Sequence, residues 1–148
     1  MKKLSKTIFI SVFVLTAFSA FSQKMYTPKV GSAERKMILD IVRVPSQKEL
    51  GQSIEFTPTT FNIAGNTCFI LANIQQANGQ AIDVKKINQK DLIMGEGKAA
   101  FFENNIQVVL KKSKGKWTIV RRVLGCTDVC WSDWYVDLKL PKTLFGMK

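Results

Sequence analysis

Near residue 53 the spacing of apolar side chains changes from helical to alternating. That switch restricts the chain to a fold in which a helix covers a sheet. Before it, Met37, Ile38, Ile41 and Val42 recur at i, i+1, i+4 and i+5, one face of a helix over residues 33–43. Ser32 reads as the N-cap, and Glu34 falls in the first turn, where the helix dipole favours an acid. Asp40 and Arg43 fall on the other side. Val44-Pro45 predicts the end of this helix, because a residue before proline avoids helical geometry. A short second turn, Ser46 to Leu50, stops at Gly51.

After the switch, Ile54 and Phe56 alternate with polar neighbours, and so do Phe61 and Ile63. The inward parity changes across Pro58, which predicts a bulge or kink there. Ala64-Gly65-Asn66 turns the chain into a strand over 67–75. Cys68, Ile70, Ala72 and Ile74 share one face of that strand, with Phe69 and Leu71 on the other, so it is expected to be covered on both sides. Asn78-Gly79 marks a hairpin turn, with a short strand expected near 81–84. Residues 85–97 read as loop with one helical turn. A long strand is expected over 98–111, with a bulge at Asn104-Asn105. It turns at 113–116 into a strand over 117–124, with Trp117, Ile119 and Val123 on one face.

A helix followed by antiparallel strands predicts an α+β domain, its N-terminal helix packed on a curved antiparallel sheet. Cystatin-like and NTF2-like domains share that element order. The residues themselves resemble a group of small, functionally uncharacterised exported bacterial α+β domains. The matching stretches are Gly31 to Asp40, Val108 to Trp117 and Gly125 to Val129. The resemblance spans about 31–145 and implies no catalytic residue.

Residues 1–22 have the pattern of a secretory signal peptide. Lys2, Lys3 and Lys6 precede an apolar run from Ile8 to Phe18, and Ala20-Phe21-Ser22 offers small residues for cleavage before Gln23. The run is shorter than the roughly 20 residues that cross a bilayer, so no permanent anchor is expected. Without a cysteine at the cleavage point, a lipoprotein anchor is not expected either. Residues 23–31 read as an extended leader and 32–148 as a single domain. The expected location is the periplasm or outside the cell.

Removing 22 of 148 residues leaves 126, enough for one core. The three lysines removed lower the formal charge from +11 to +8. Such a protein is drawn to anionic surfaces or polymers, or to another exported protein. Histidine is absent, which excludes Ser-His-Asp and Cys-His catalysis and the commonest zinc ligand set. No metal and no cofactor is expected. Of three cysteines, Cys126 and Cys130 are the first choice for a disulfide, with Cys68 paired to either as the alternative.

The densest candidate binding segment is Gly125 to Tyr135. Asp128, Trp131, Asp133 and Trp134 offer aromatic faces beside carboxylates, suited to stacking and hydrogen bonding, with Arg35 able to reach the sheet cavity. The competing reading makes this segment a structural plug. A second candidate is basic: Lys111, Lys112, Lys114 and Lys116 crowd one hairpin tip, followed by Arg121 and Arg122, with Phe101, Phe102 and Trp117 nearby. Its competing reading is a solvated turn. Three functions follow: a non-enzymatic ligand- or partner-binding protein, a small enzyme using carboxylates such as Glu34, Glu55, Asp128 and Asp133, or a protein inhibitor or interaction module. The first is expected.

Overall fold

The computed structural model describes residues 24–87 and 102–148. The signal-peptide reading, Phe101 and the start of the strand expected over 98–111 lie outside the described residues. Helix α1 spans Ala33–Leu50 and is followed by β1 (Ile54–Ala64) and β2 (Thr67–Gln76). A one-turn 3-10 helix at Val84–Lys86 precedes β3 (Asn105–Ser113) and β4 (Lys116–Leu124). Helix α2 (Trp134–Asp137) and a 3-10 turn (Lys142–Phe145) complete the order. The four strands form an antiparallel sheet in the order β1-β2-β3-β4. This is an α+β domain.

Helix α1 begins as its sequence predicts: the Ser32 hydroxyl accepts the Arg35 amide at 3.3 Å. It does not stop at Pro45. It runs on to Gly51, whose φ of 65° supplies the left-handed cap that a glycine takes easily. Proline forfeits one backbone hydrogen bond, and contacts further along compensate. Ser46 Oγ donates to the Val42 carbonyl at 2.7 Å, and Leu50 is fully buried. The buried stripe is Ile38, Val42, Ser46 and Leu50. Met37, assigned to that stripe by spacing, is 45% exposed, and Ile41 is only partly buried.

Two bulges aim the sheet. One falls between Pro58 and Thr60, where the change of parity predicts it. The other falls on β4: Val109 pairs with Arg121 but Leu110 pairs with Ile119, leaving Val120 as the extra residue. It reverses parity within β4. Trp117, Ile119 and Leu124 therefore pack on the helix side, while Val123 packs on the other. The expected strand near 81–84 is not formed. Asp83 instead caps the 3-10 turn through the Lys85 amide, and the Ile82 amide is held by Asn104 Oδ1 at 3.3 Å. The place beside β2 belongs to β3.

Both faces of the sheet are covered. Helix α1 meets Ile54, Phe61, Ile63, Cys68, Ile70, Ile106, Val108 and Leu110 in the larger core. On the opposite face the C-terminal segment seats Trp134, Leu144 and Phe145 against Phe69 and Val109. Central strand β2 is thus buried on both sides, as its run of apolar residues requires.

Candidate functional site

The aromatic segment after β4 packs rather than projects. A Cys126–Cys130 disulfide closes the turn that leaves β4, with Cα atoms 6.4 Å apart. The chain then folds back across the second face of the sheet. The Trp131 ring lies 5.4 Å from Phe69 and stacks on Phe145 with 5° between planes. Trp134 is 5% exposed, and the Arg121 guanidinium lies 5.4 Å from its ring centroid. Asp128 and Asp133 are exposed. Their carbonyls, not their carboxylates, anchor local structure, accepting from the Cys130 amide and from the Val136 and Asp137 amides. The two indoles have the plug position that the sequence offers as the competing reading.

Arg35 stands on the other side of the sheet. It projects from the first turn of α1 over the Phe61 ring, 4.8 Å from its centroid, and donates to the Pro28 carbonyl at 3.3 Å. The fold therefore keeps Trp131 and Trp134 together and separates both from Arg35 by the thickness of the sheet.

Arg35 instead shares an open cleft of about 530 Å³ with Thr27, Lys29, Thr59, Thr60 and Asn62. The cleft lies between the leader and edge strand β1. The leader joins β1 at one point, where Tyr26 and Ile63 exchange backbone bonds of 2.9 and 2.8 Å. At Pro58–Thr60 the bulge opens the strand edge, and the space between fills with hydroxyls and two cations. No carboxylate is among the residues that line it. Asn62 holds the floor, donating from Nδ2 to the Leu144 carbonyl at 3.0 Å. Sequence reading passed over Thr27, Lys29, Thr59, Thr60 and Asn62. The one signal available was the parity change at Pro58, which marks where a strand edge opens.

Several carboxylates are dispersed in separate pairs. The Tyr26 hydroxyl donates to Glu34 at 3.1 Å, and partial burial, with this bond second, raises the Tyr26 pKa. Asp40 accepts from Lys36 at 2.6 Å and from Arg43, which holds its pKa below the ordinary range. Glu49 pairs with Arg122 and Asp137 with Arg121. Among the described residues no cluster of three or more Cys, Asp or Glu could hold a metal ion, and no helix is long and apolar enough to cross a membrane. Cys68 is a buried free thiol whose pKa is pushed up by burial. No family model, curated protein or solved structure matches the chain.

Proposed function

We propose that this domain is a non-enzymatic binding protein of the periplasm or cell surface, and that its β1-edge cleft holds an anionic group of the bound molecule. The reading rests on one observation. Arg35 and Lys29 face a common space with three threonines and an asparagine, and no carboxylate opposes them. Arginine presents a planar fork of donors that matches a carboxylate or phosphate, and the flanking hydroxyls complete such a shell. The Phe61 ring beneath Arg35 limits where its guanidinium can go, which lowers the cost of ordering it around a ligand. Carboxylate catalysis has less support, because no carboxylate lines the cleft and Glu34, of the four acids named for it, is engaged by Tyr26. Cystatin-like element order, the Cys126–Cys130 disulfide and the signal-like N-terminus agree with an exported binding domain.

The test is a titration of isotope-labelled protein with inorganic phosphate, citrate and a short acidic peptide, followed by amide chemical shifts. Shifts confined to Thr27–Arg35 and Thr59–Asn62, and abolished in Arg35→Ala, are expected. Shifts that are absent there with all three probes sink the proposal. Export is checked separately, by the mass of the protein recovered from export-competent cells, which should begin at Gln23.

A further inference from the structure

We infer that the β1-edge cleft takes the end of an extended peptide, which adds to β1 as a further strand and sets a carboxylate beside Arg35 and Lys29. The inference rests on the reading that this cleft holds an anionic group, and it names the molecule that carries the group.

The phase of β1 carries it. In an antiparallel pair, successive residues turn their backbone groups alternately toward the partner strand and away from it. Ile63 exchanges both of its bonds with Tyr26, so Ile63 faces away from β2. Two residues earlier, in unbroken register with β2, Phe61 faces the same way. Beyond the bulge the Ile54 amide also turns outward, where Gln47 Oε1 accepts it at 3.3 Å. Phe56 and Pro58 keep that phase. Pro58 thereby sits where a missing N–H costs no ladder bond. Tyr26 and Gln47 thus satisfy the two ends of the edge. Between them, Phe61 and Pro58 line the cleft. Among the described residues the Phe61 amide and carbonyl and the Pro58 carbonyl have no partner outside the sheet.

The leader cannot take that place. Continued in register, it would set Pro28 opposite Phe61. Proline has no N–H to give the Phe61 carbonyl. The Pro28 carbonyl accepts from Arg35 instead of from the Phe61 amide. The ladder therefore ends after one bridge, and the cleft opens where the next pair would form.

These groups select the occupant. Phosphate or a small acid engages Arg35 and Lys29 but leaves the strand edge unpaired. An extended chain engages both, since every residue but proline brings an N–H and a C=O. A strand added from the Pro58 side meets Tyr26 just past Phe61, so it must end or turn there. The carboxylate is then a free C-terminus, in a strand parallel to β1, or an acidic side chain at the start of an antiparallel one. Pairing β1 with the β1 of a second copy would instead bring two sets of the same cations together.

The test titrates the isotope-labelled protein with N-acetylated tetrapeptides of alternating threonine and valine. One has a free C-terminus, one is amidated with glutamate first, and one is amidated and neutral. Acetate and inorganic phosphate are the controls. One of the acidic peptides should bind at least about tenfold more tightly than acetate and than the neutral peptide. The tighter of the two fixes the strand direction. That peptide should slow hydrogen exchange at the Phe61 amide, which phosphate should not. Methylating its alternate nitrogens in one phase should abolish binding, and in the other phase spare it. Arg35→Gln should remove the advantage of acidic over neutral peptide. Acidic peptides no tighter than acetate, or equal effects of the two methylation phases, overturn strand addition. Phosphate shifts that persist in that case leave the anion reading standing, and their absence removes both. Phe61 exchange that slows with protein concentration alone assigns the edge to a second copy and overturns the inference too. The melting temperature of Arg35→Gln confirms folding, and the methylation pair on the native protein stands without that variant.

Discussion

Arg122 on β4 reaches across the larger core to the last turns of α1, where its guanidinium pairs with Glu49 and donates to Ser46 Oγ at 2.8 Å. The two side chains of the ion pair are 18% and 14% exposed, so water screens them little. They fix the last part of the helix, the five residues of the 18-residue α1 that lie beyond Pro45. Glu49→Gln should destabilise the domain by about 1–3 kcal/mol, because the arginine keeps its charge and loses its partner. Urea unfolding of the two single variants and the Glu49→Gln/Arg122→Met double variant measures the coupling. Additive losses would show that the pair contributes nothing of its own.

Trp134 closes the second face of the sheet over Phe69 and Val109. Trp134→Ala should cost about 3–5 kcal/mol, the range for emptying a buried aromatic position. Denaturant midpoints test it. A loss below 1 kcal/mol would release the indole from its role as plug and return it to consideration as a ligand contact.

Cys68 is buried in the larger core and carries no disulfide. Burial also raises its pKa, so the reactive thiolate is scarce. A thiol reagent at pH 8 should label no cysteine in the folded protein and one after unfolding without reductant. Cys130→Ser should cost about 2 kcal/mol, as expected for opening so short a loop. Native labelling of Cys68, or three reactive thiols after nonreducing denaturation, would contradict the assignment.

Tyr26 ties the leader to α1 through Glu34, and its pKa is raised by burial first and by that hydrogen bond second. The neutral phenol is the form the fold favours. Its contribution is complete below about pH 10 and fades as pH rises through the elevated folded value. Proteolysis of the leader should therefore accelerate above pH 10. In Tyr26→Phe the leader should be cleaved faster at neutral pH, and the alkaline step should vanish. An unchanged alkaline step in that variant would place its origin elsewhere.

Much of the architecture is legible in local pattern. The Ser32 cap, the bulge at Pro58 and the two-faced burial of β2 each have a signature within a few residues. The errors arise where distant parts of the chain decide. Pro45 ends a helix in isolation, yet Arg122, 77 residues later, supplies contacts that carry the helix past it. Val120 carries no sign of a bulge, because nothing in β4 alone shows which partner β3 will offer. The role of the 125–135 segment is equally hard to read from local pattern. Aromatics beside acids have one spelling for a binding loop and for a plug. Only the arrival of Phe145 against Trp131 distinguishes them. The β1-edge cleft draws on three separate segments, so no single stretch announces it.

The covering of the second face by Trp134, Leu144 and Phe145 also orders events in time. Each hairpin can close soon after its own strands emerge. Phe69 and Val109, however, stay bare to water until Trp134, Leu144 and Phe145, about 25 to 76 positions downstream, have been made, so the strand meander is complete while one oily side is still uncovered. A chain stopped before Trp134 is thus a sticky half-product rather than a smaller stable domain. Its fate in the cell depends on what shields that face during the interval.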